Sequence, residues 1–414
     1  MTPDNTGRSN CPSWFRAAAL VGLVIRLYFV FFTEGTYDIR LWTRHAEGVA
    51  QNGLIAHYRA DAFMNHPPAI AAVAAGVLKL SAASGIPFRV LWRLPFALLD
   101  IATALLLLLL MGHRKDRFAV AAGYWLNPLA MILSAYHGNV DVAVAFFLVL
   151  CVYLLSRDRA AWAGAAIGLS LWIKLPALLA APAVFFWLPT WRRKLEFTFA
   201  AGLAALAGYL PALAADPAIV YRKVFAYQGL LLQTAGGVKV WGMGTFMPVI
   251  QRLANPWRAG LVHPAIVLYN HDVAIALVSL FAVGWLRRRE RTIEGLGLTL
   301  AAVYTILYGF SDSCSFQYFA WSLPFWFFAG RVFALLASLL AGGYVYSLYA
   351  YLCGNPWLWG EWDFAGHAYW PPFVEILRSM SVLFFFGAGV AFLARATARE
   401  VKAWRTRRAG SPVP

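Results

Sequence analysis

Charge is what this sequence has least of. Only 13% of its 414 residues are Asp, Glu, Lys or Arg, against 61% hydrophobic, whereas a soluble domain carries about 25% charged residues. That shortage excludes a soluble globular enzyme. Acidic residues are the scarcer sign, 19 against 35 basic ones, a formal charge of +16. Cysteines are few: Cys11, Cys151, Cys314 and Cys353 stand without metal-type spacing. Cys151 reads as a small buried hydrophobe, and a Cys314–Cys353 disulfide gains no support from spacing. Internal repeats and low-complexity segments are absent too.

What is present is a series of apolar runs near 20 residues, bounded by basic clusters. Continuous rather than alternating runs indicate membrane helices and argue against a β-barrel. The basic excess sits at Arg114–Arg117, Arg157 with Arg159, Arg192–Lys194, Arg287–Arg291 and the tail 395–414. That is the positive-inside pattern of cytoplasmic loops, and it removes the reason to invoke nucleic acid. The first run follows a polar leader without a small-residue cleavage site, so it reads as a span and not a signal peptide.

Spans are expected at about 15–33, 90–112, 118–136, 139–156, 160–175, 176–189, 197–215, 263–286, 295–310, 316–331, 332–351 and 372–394. Segment 66–83 is apolar but short and opens on Pro67-Pro68. Were it to cross, the cluster after residue 112 would fall outside, so it is read as a juxtamembrane or re-entrant helix. The expectation is one all-α polytopic integral membrane domain over 1–414, with about twelve transmembrane helices and both termini cytoplasmic. Large outer segments are then 34–89, 216–262 and 352–371, and the cytoplasmic loops are too short to hold a site.

Five groups of residues could carry chemistry there. Asp38 lies just beyond the first span, either as a general base tuned by its surroundings or as a solvated acid paired with Arg40 or Arg44. His66, before the two prolines, is a substrate contact or part of a structural cap. Asn127-Pro128 lies within a span, and His137–Asp141 makes a tight outer turn in which Asn139 or Asp141 faces the same compartment or caps the next helix. Lys174 near the outer end of a span needs an anion or water. Gln317, Tyr318 and Trp321 gather where a late span begins; an aromatic belt accounts for the rings but not for Gln317.

In this order the motifs resemble the GT-C superfamily of polyprenyl-phosphate-sugar-dependent glycosyltransferases. Tyr37-Asp38-Ile39-Arg40 resembles its acidic first outer loop, His66-Pro67-Pro68 the opening of its juxtamembrane helix, and Arg93-Leu94-Pro95 with Asp100 the start of the following span. Asn127-Pro128, Gly138 to Asp141, Lys174-Leu175-Pro176 and Gln317–Trp321 are similar to its later elements, so the likeness runs over roughly 15–330. It implies an outer-face, inverting transfer of a sugar, mannose favoured, from a polyprenyl-phosphate donor to a glycolipid, glycan or protein acceptor. Asp38 would be the base. Tyr37, Arg40, His66, Asn139, Asp141, Gln317 and Tyr318 would bind substrate, and Lys174, Arg222, Lys223, Lys239, Arg252 and Arg258 the donor phosphate. Arg40 stands where some members carry the second acid of an Asp-x-Asp pair, so no divalent metal or other cofactor is expected. The likeness also suggests a bacterial inner membrane. Two other readings are a transporter or flippase using Asp100, Asp141 and Lys174, which lacks the inverted repeat common in such folds, and a lectin-like scaffold.

Overall fold

A computed structural model describes residues 11–226, 241–246, 266–267, 269–312, 314–363 and 370–409. Among the described residues the chain is all-helical, with no strand. Six helices among the described residues are long and apolar enough to cross a membrane: Ser13–Phe32 (α1), Phe88–Leu110 (α5), Trp191–Ala215 (α11), Ile293–Phe310, Arg331–Leu352 and the apolar part of Pro372–Ala409. A seventh span arises if the bent pair Arg117–Trp125 (α6) and Pro128–Met131 (α7), which continues as a π-helical turn to Tyr136, counts as one; the bend is 47°. Pro128 causes the break, since it has no N–H to donate into the preceding turn. Asn127 restarts the helix by accepting from Leu129 N at 2.9 Å.

Among the described residues the expected twelve spans are therefore not confirmed. Asp141–Ser156 (α8), Ala160–Ser170 (α9), Ala177–Trp187 (α10) and Asp272–Leu286 are apolar but only 11 to 16 residues long, shorter than the roughly 20 a crossing requires. The clearest correction is 316–331. It forms a 3-10 helix, Phe316–Trp321, and a single turn, Leu323–Trp326. Trp321, Leu323, Phe325 and Trp326 are buried within the protein. Irregular backbone at such depth survives only where protein rather than lipid surrounds it.

The break between α9 and α10 obeys the same rule. Tyr209 and Tyr304 donate to the carbonyls of Leu171 and Pro176, at 2.9 and 3.0 Å, and Ile70 N donates to Trp172 O. These bonds replace the helix ladder and hold Lys174 on a fixed turn.

Between α1 and α5 lies an outer-face group of shorter helices: Tyr37–Asn52 (α2), Leu54–Ala60 (α3) and Pro68–Ser84 (α4). Helix α2 buries Ile39, Trp42, His45 and Ala46, one stripe at helical spacing, and packs along α4. Arg93 of α5 ties the end of α1 in place, donating to Val30 O at 2.9 Å and Thr33 O at 2.6 Å. Deeper in, Arg26 and Asp100 form an ion pair at 2.6 Å, each 1% exposed. Cys151, Cys314 and Cys353 are buried and free, so the Cys314–Cys353 disulfide is not formed.

Candidate functional site

Helix α2 begins at a polar junction. Thr36 caps it by accepting from Asp38 N at 3.3 Å, while the Thr36 hydroxyl donates to His137 O at 2.7 Å. The chain around His137 can come this close because Gly138 has φ +77°, and a Cβ there would meet Ile39 Cδ1 at 2.1 Å. Trp92 Nε1 then donates to Gly138 O at 2.9 Å. The turn 137–139 is thereby pressed against the first turn of α2, with Asp38 facing it.

Asp38 Oδ2 accepts from His137 Nε2 at 3.1 Å and from the Asn139 amide. The other ring nitrogen, His137 Nδ1, is hydrogen-bonded to the Tyr349 hydroxyl, so the imidazole links Tyr349 to the carboxylate. Among the described residues no donor reaches Asp38 Oδ1, and the side chain is 26% exposed. Burial pushes the Asp38 carboxyl up, but the hydrogen bond and charge of His137, with the charge of Lys174, outweigh it and hold the group below the usual carboxylate range.

A second ionic group stands beside it. Lys174 Nζ lies 2.9 Å from both oxygens of Asp141, and Trp321 Nε1 donates to Asp141 Oδ1 at 2.6 Å. The ammonium sits 4.9 Å from the Tyr318 ring centre, and Tyr318 stacks on Trp321 at 4.1 Å. His66 completes the cluster, its ring 4.3 Å from Trp42. Burial, then the nearby Lys174, push the His66 imidazole down to about 3, so it is neutral at physiological pH.

Of the residues expected at a site, the structure brings together Asp38, Asn139, Asp141, Lys174, Tyr318 and His66. Arg40 turns outward to pair with Glu361, both more than half exposed, and Tyr37 is also exposed. Gln317 accepts from the hydroxyl of its neighbour Ser315. Lys223 donates to Asp61 O at 2.8 Å, and Arg222 is exposed. Lys239, Arg252 and Arg258 lie outside the described residues. The sequence singled out neither His137 as the partner of Asp38 nor Tyr349 and Trp321 as partners of the ionic pair and its neighbour. Only their chemistry hinted at it: buried acids need donors, and these are the buried side chains that supply them.

Asp100, read as a transport charge, is closed off instead. Arg26 donates twice to its Oδ2, Ser134 Oγ donates to the same oxygen at 2.9 Å, and Tyr124 donates to Oδ1. Its role is to join α1, α5 and the bent pair.

A separate apolar groove of about 550 Å³ runs between α6 and the helix Arg331–Leu352. Leu335, Leu339, Gly342 and Phe327 line it, and Arg331 stands at one end.

Residues 36–214 match the family model of PIG-U, a GPI transamidase subunit, a membrane family related to the GT-C-like fold. No curated protein matches. The match begins two residues before Asp38 and ends within α11, so it takes in Asp38, His66, Asn139, Asp141 and Lys174. It upholds the membrane character and the relation to the GT-C-like fold. It overturns the expected activity. The matched family is described as a subunit of a transamidase, not as a sugar transferase drawing on polyprenyl phosphate, so the glycosyltransferase and mannosyltransferase readings, the polyprenyl donor and the classification as an enzyme are withdrawn. The transporter reading gains no support, nor does placement in a bacterial inner membrane.

Proposed function

We propose that this chain is a non-catalytic membrane subunit that binds the glycan headgroup of a GPI-type glycolipid and presents it to partner chains of a larger assembly. The observation that carries this reading is the state of Asp38. Its Oδ2 is fixed by two donors, and its Oδ1, which no donor reaches among the described residues, is available as an acceptor for a hydroxyl on a side chain that is 26% exposed. Lys174 keeps one N–H beyond the two that Asp141 takes, suited to a phosphate or hydroxyl oxygen, and lies against the stacked rings of Tyr318 and Trp321. Ionised acceptor, cation and aromatic faces together suit a polyol, with the apolar groove available to a lipid chain.

The cluster faces away from the basic turns. Asp141 opens α8 at the cluster, and Arg157 and Arg159 follow its other end. By the positive-inside bias the headgroup site then lies on the extracytoplasmic face. The whole of 1–414 would act as one integral membrane domain.

Mild extraction from the native membrane tests the subunit reading. The chain is expected to migrate with other polypeptides in a fixed ratio and, alone, to leave glycolipid unchanged. Migration as a solitary chain, or turnover of lipid-linked glycan by the purified chain, would contradict it.

A further inference from the structure

The cluster around Asp38 does not use every titratable group on the outer-face helices. Beside it, α2 and α3 fold back on each other through Gly53, whose φ is +78°. The hairpin brings His45 and His57 face to face, with Asp61 just past the end of α3. His45 Nδ1 lies 3.1 Å from His57 Nε2 and 3.6 Å from Asp61 Oδ2, and His57 Nε2 lies 4.0 Å from the same oxygen. We propose that His45 Nδ1, His57 Nε2 and Asp61 Oδ2 form a binding site for a divalent transition-metal ion of the zinc type.

The triangle has the right size. The point equidistant from its three atoms is about 2.1 Å from each, within the range of zinc–nitrogen and zinc–carboxylate bonds. A contraction of a few tenths of an ångström would lift the ion out of the plane and leave a fourth position for water. Two imidazoles and one carboxylate are also a donor set that suits zinc and its neighbours better than magnesium or calcium.

The surroundings hold the ligands in place. His45 is buried and its ring lies edge-on to Trp42. His57 Nδ1 abuts α2 at Gly48, where a Cβ would lie only 2.2 Å away, so a larger residue there would expel the ring. Phe63 N donates to Asp61 Oδ1 at 2.8 Å, which turns Oδ2 towards the histidines. Without an ion the two rings share an N–H···N hydrogen bond; binding needs only the tautomer that carries each hydrogen on the other ring nitrogen, so no proton is released by the pair.

One neighbour opposes the ion. Arg44 Nε lies 2.9 Å from Asp61 Oδ2 and competes for it. Arg44→Gln is therefore expected to tighten binding severalfold. The expectation that the chain needs no metal rested on Arg40 replacing an acid beside Asp38, and it does not bear on these residues. An ion here would clamp the α2–α3 hairpin and steady the rim of the site, because Tyr58 of α3 donates to His66 O at 2.6 Å.

The test uses the full chain in detergent, stripped with chelator, reloaded with zinc chloride and passed through a desalting column. Wild type is expected to retain an equimolar amount of zinc, and His57→Gln and Asp61→Asn to retain almost none while eluting as wild type does. Retention by either variant at the wild-type level would overturn the site, as would loss of all zinc by wild type. Cobalt(II) in wild type gives a reading that needs no variant: visible ligand-field bands without thiolate charge-transfer absorption are expected. A thiolate band would assign the ion to a cysteine and contradict the proposal.

Discussion

Two carboxylates, the buried Asp100 and the partly exposed Asp38, hang on the same helical framework and end in opposite states. Asp100 accepts from Arg26, Ser134 and Tyr124, both oxygens are engaged, and the pair with Arg26 is 1% exposed. Asp38 has one oxygen fixed by His137 and Asn139 and the other open at a quarter-exposed surface. Both are acids in a chain poor in acids, yet only one has spare bonding capacity. A saturated buried charge is a joint, because removing any partner strands the rest. A half-saturated charge at a surface is a binding group, since its rigidity is already provided and its last bond is reserved for a ligand.

Substitution should separate them sharply. Asp100→Ala leaves the Arg26 guanidinium buried without its anion and is expected to destabilise the chain by about 3–5 kcal/mol, read as a large fall in thermal midpoint in detergent. If Asp100→Ala melts like wild type, the joint reading fails. Gly138→Ala comes next. It forces a Cβ into φ +77° and against Ile39, at a cost of about 2 kcal/mol. Because that contact seats Asp38, glycolipid binding and stability should fall together; a variant that melts early but binds normally would uncouple turn and site.

Asp38→Asn sharpens the contrast from the other side. The amide keeps the shape and can still accept from His137 and Asn139, so stability should move by less than about 1 kcal/mol. Affinity for the glycan should drop about tenfold or more, the scale of a lost charge-assisted hydrogen bond. The smallest effect is a pH dependence. Buried His66 stays neutral, with its folded value lowered to about 3, so the unfolded chain binds the proton first. Its contribution is complete above the ordinary histidine value near 6.5 and is lost as pH falls from there towards 3. His66 should account for about 1 kcal/mol of the stability lost between pH 7 and 5.5, with buried His45 and His57 adding to the slope, and His66→Phe should lessen the loss by its own share in parallel thermal melts.

The sequence made one of these carboxylates readable and misassigned the other. Asp38, Asn139, Asp141 and Lys174 stood out because polar groups are rare among apolar runs. Their partners did not, since Tyr349 reaches His137 across 212 residues and Trp321 reaches Asp141 across 180. No local pattern encodes such contacts. Asp100 was placed in the motif that opens α5, and as an intramembrane charge in the transporter alternative, because nothing near it in the chain announces Arg26. Long helices such as α1, α5 and α11 were plain from hydropathy. Segment 316–331 was not, because an apolar run looks the same whether it crosses lipid as a helix or lies irregularly in the protein interior. Trp321, Phe325 and Trp326 are buried there by neighbouring helices rather than by lipid. Activity was the costliest misreading, for the motifs that mark the fold and its polar site say nothing of whether Asp38 removes a proton or only accepts a hydrogen bond.

That last distinction is directly measurable. Wild type and Asp38→Asn, each reconstituted in nanodiscs, would be offered GPI glycolipid against phosphatidylinositol, with bound and unchanged lipid both quantified by mass spectrometry. The account predicts that wild type retains the glycolipid at least about tenfold better, that Asp38→Asn loses this preference, and that all of the glycolipid is recovered intact. Equal retention of the two lipids, an unchanged preference in Asp38→Asn, or consumption of the glycolipid by the lone chain would contradict it.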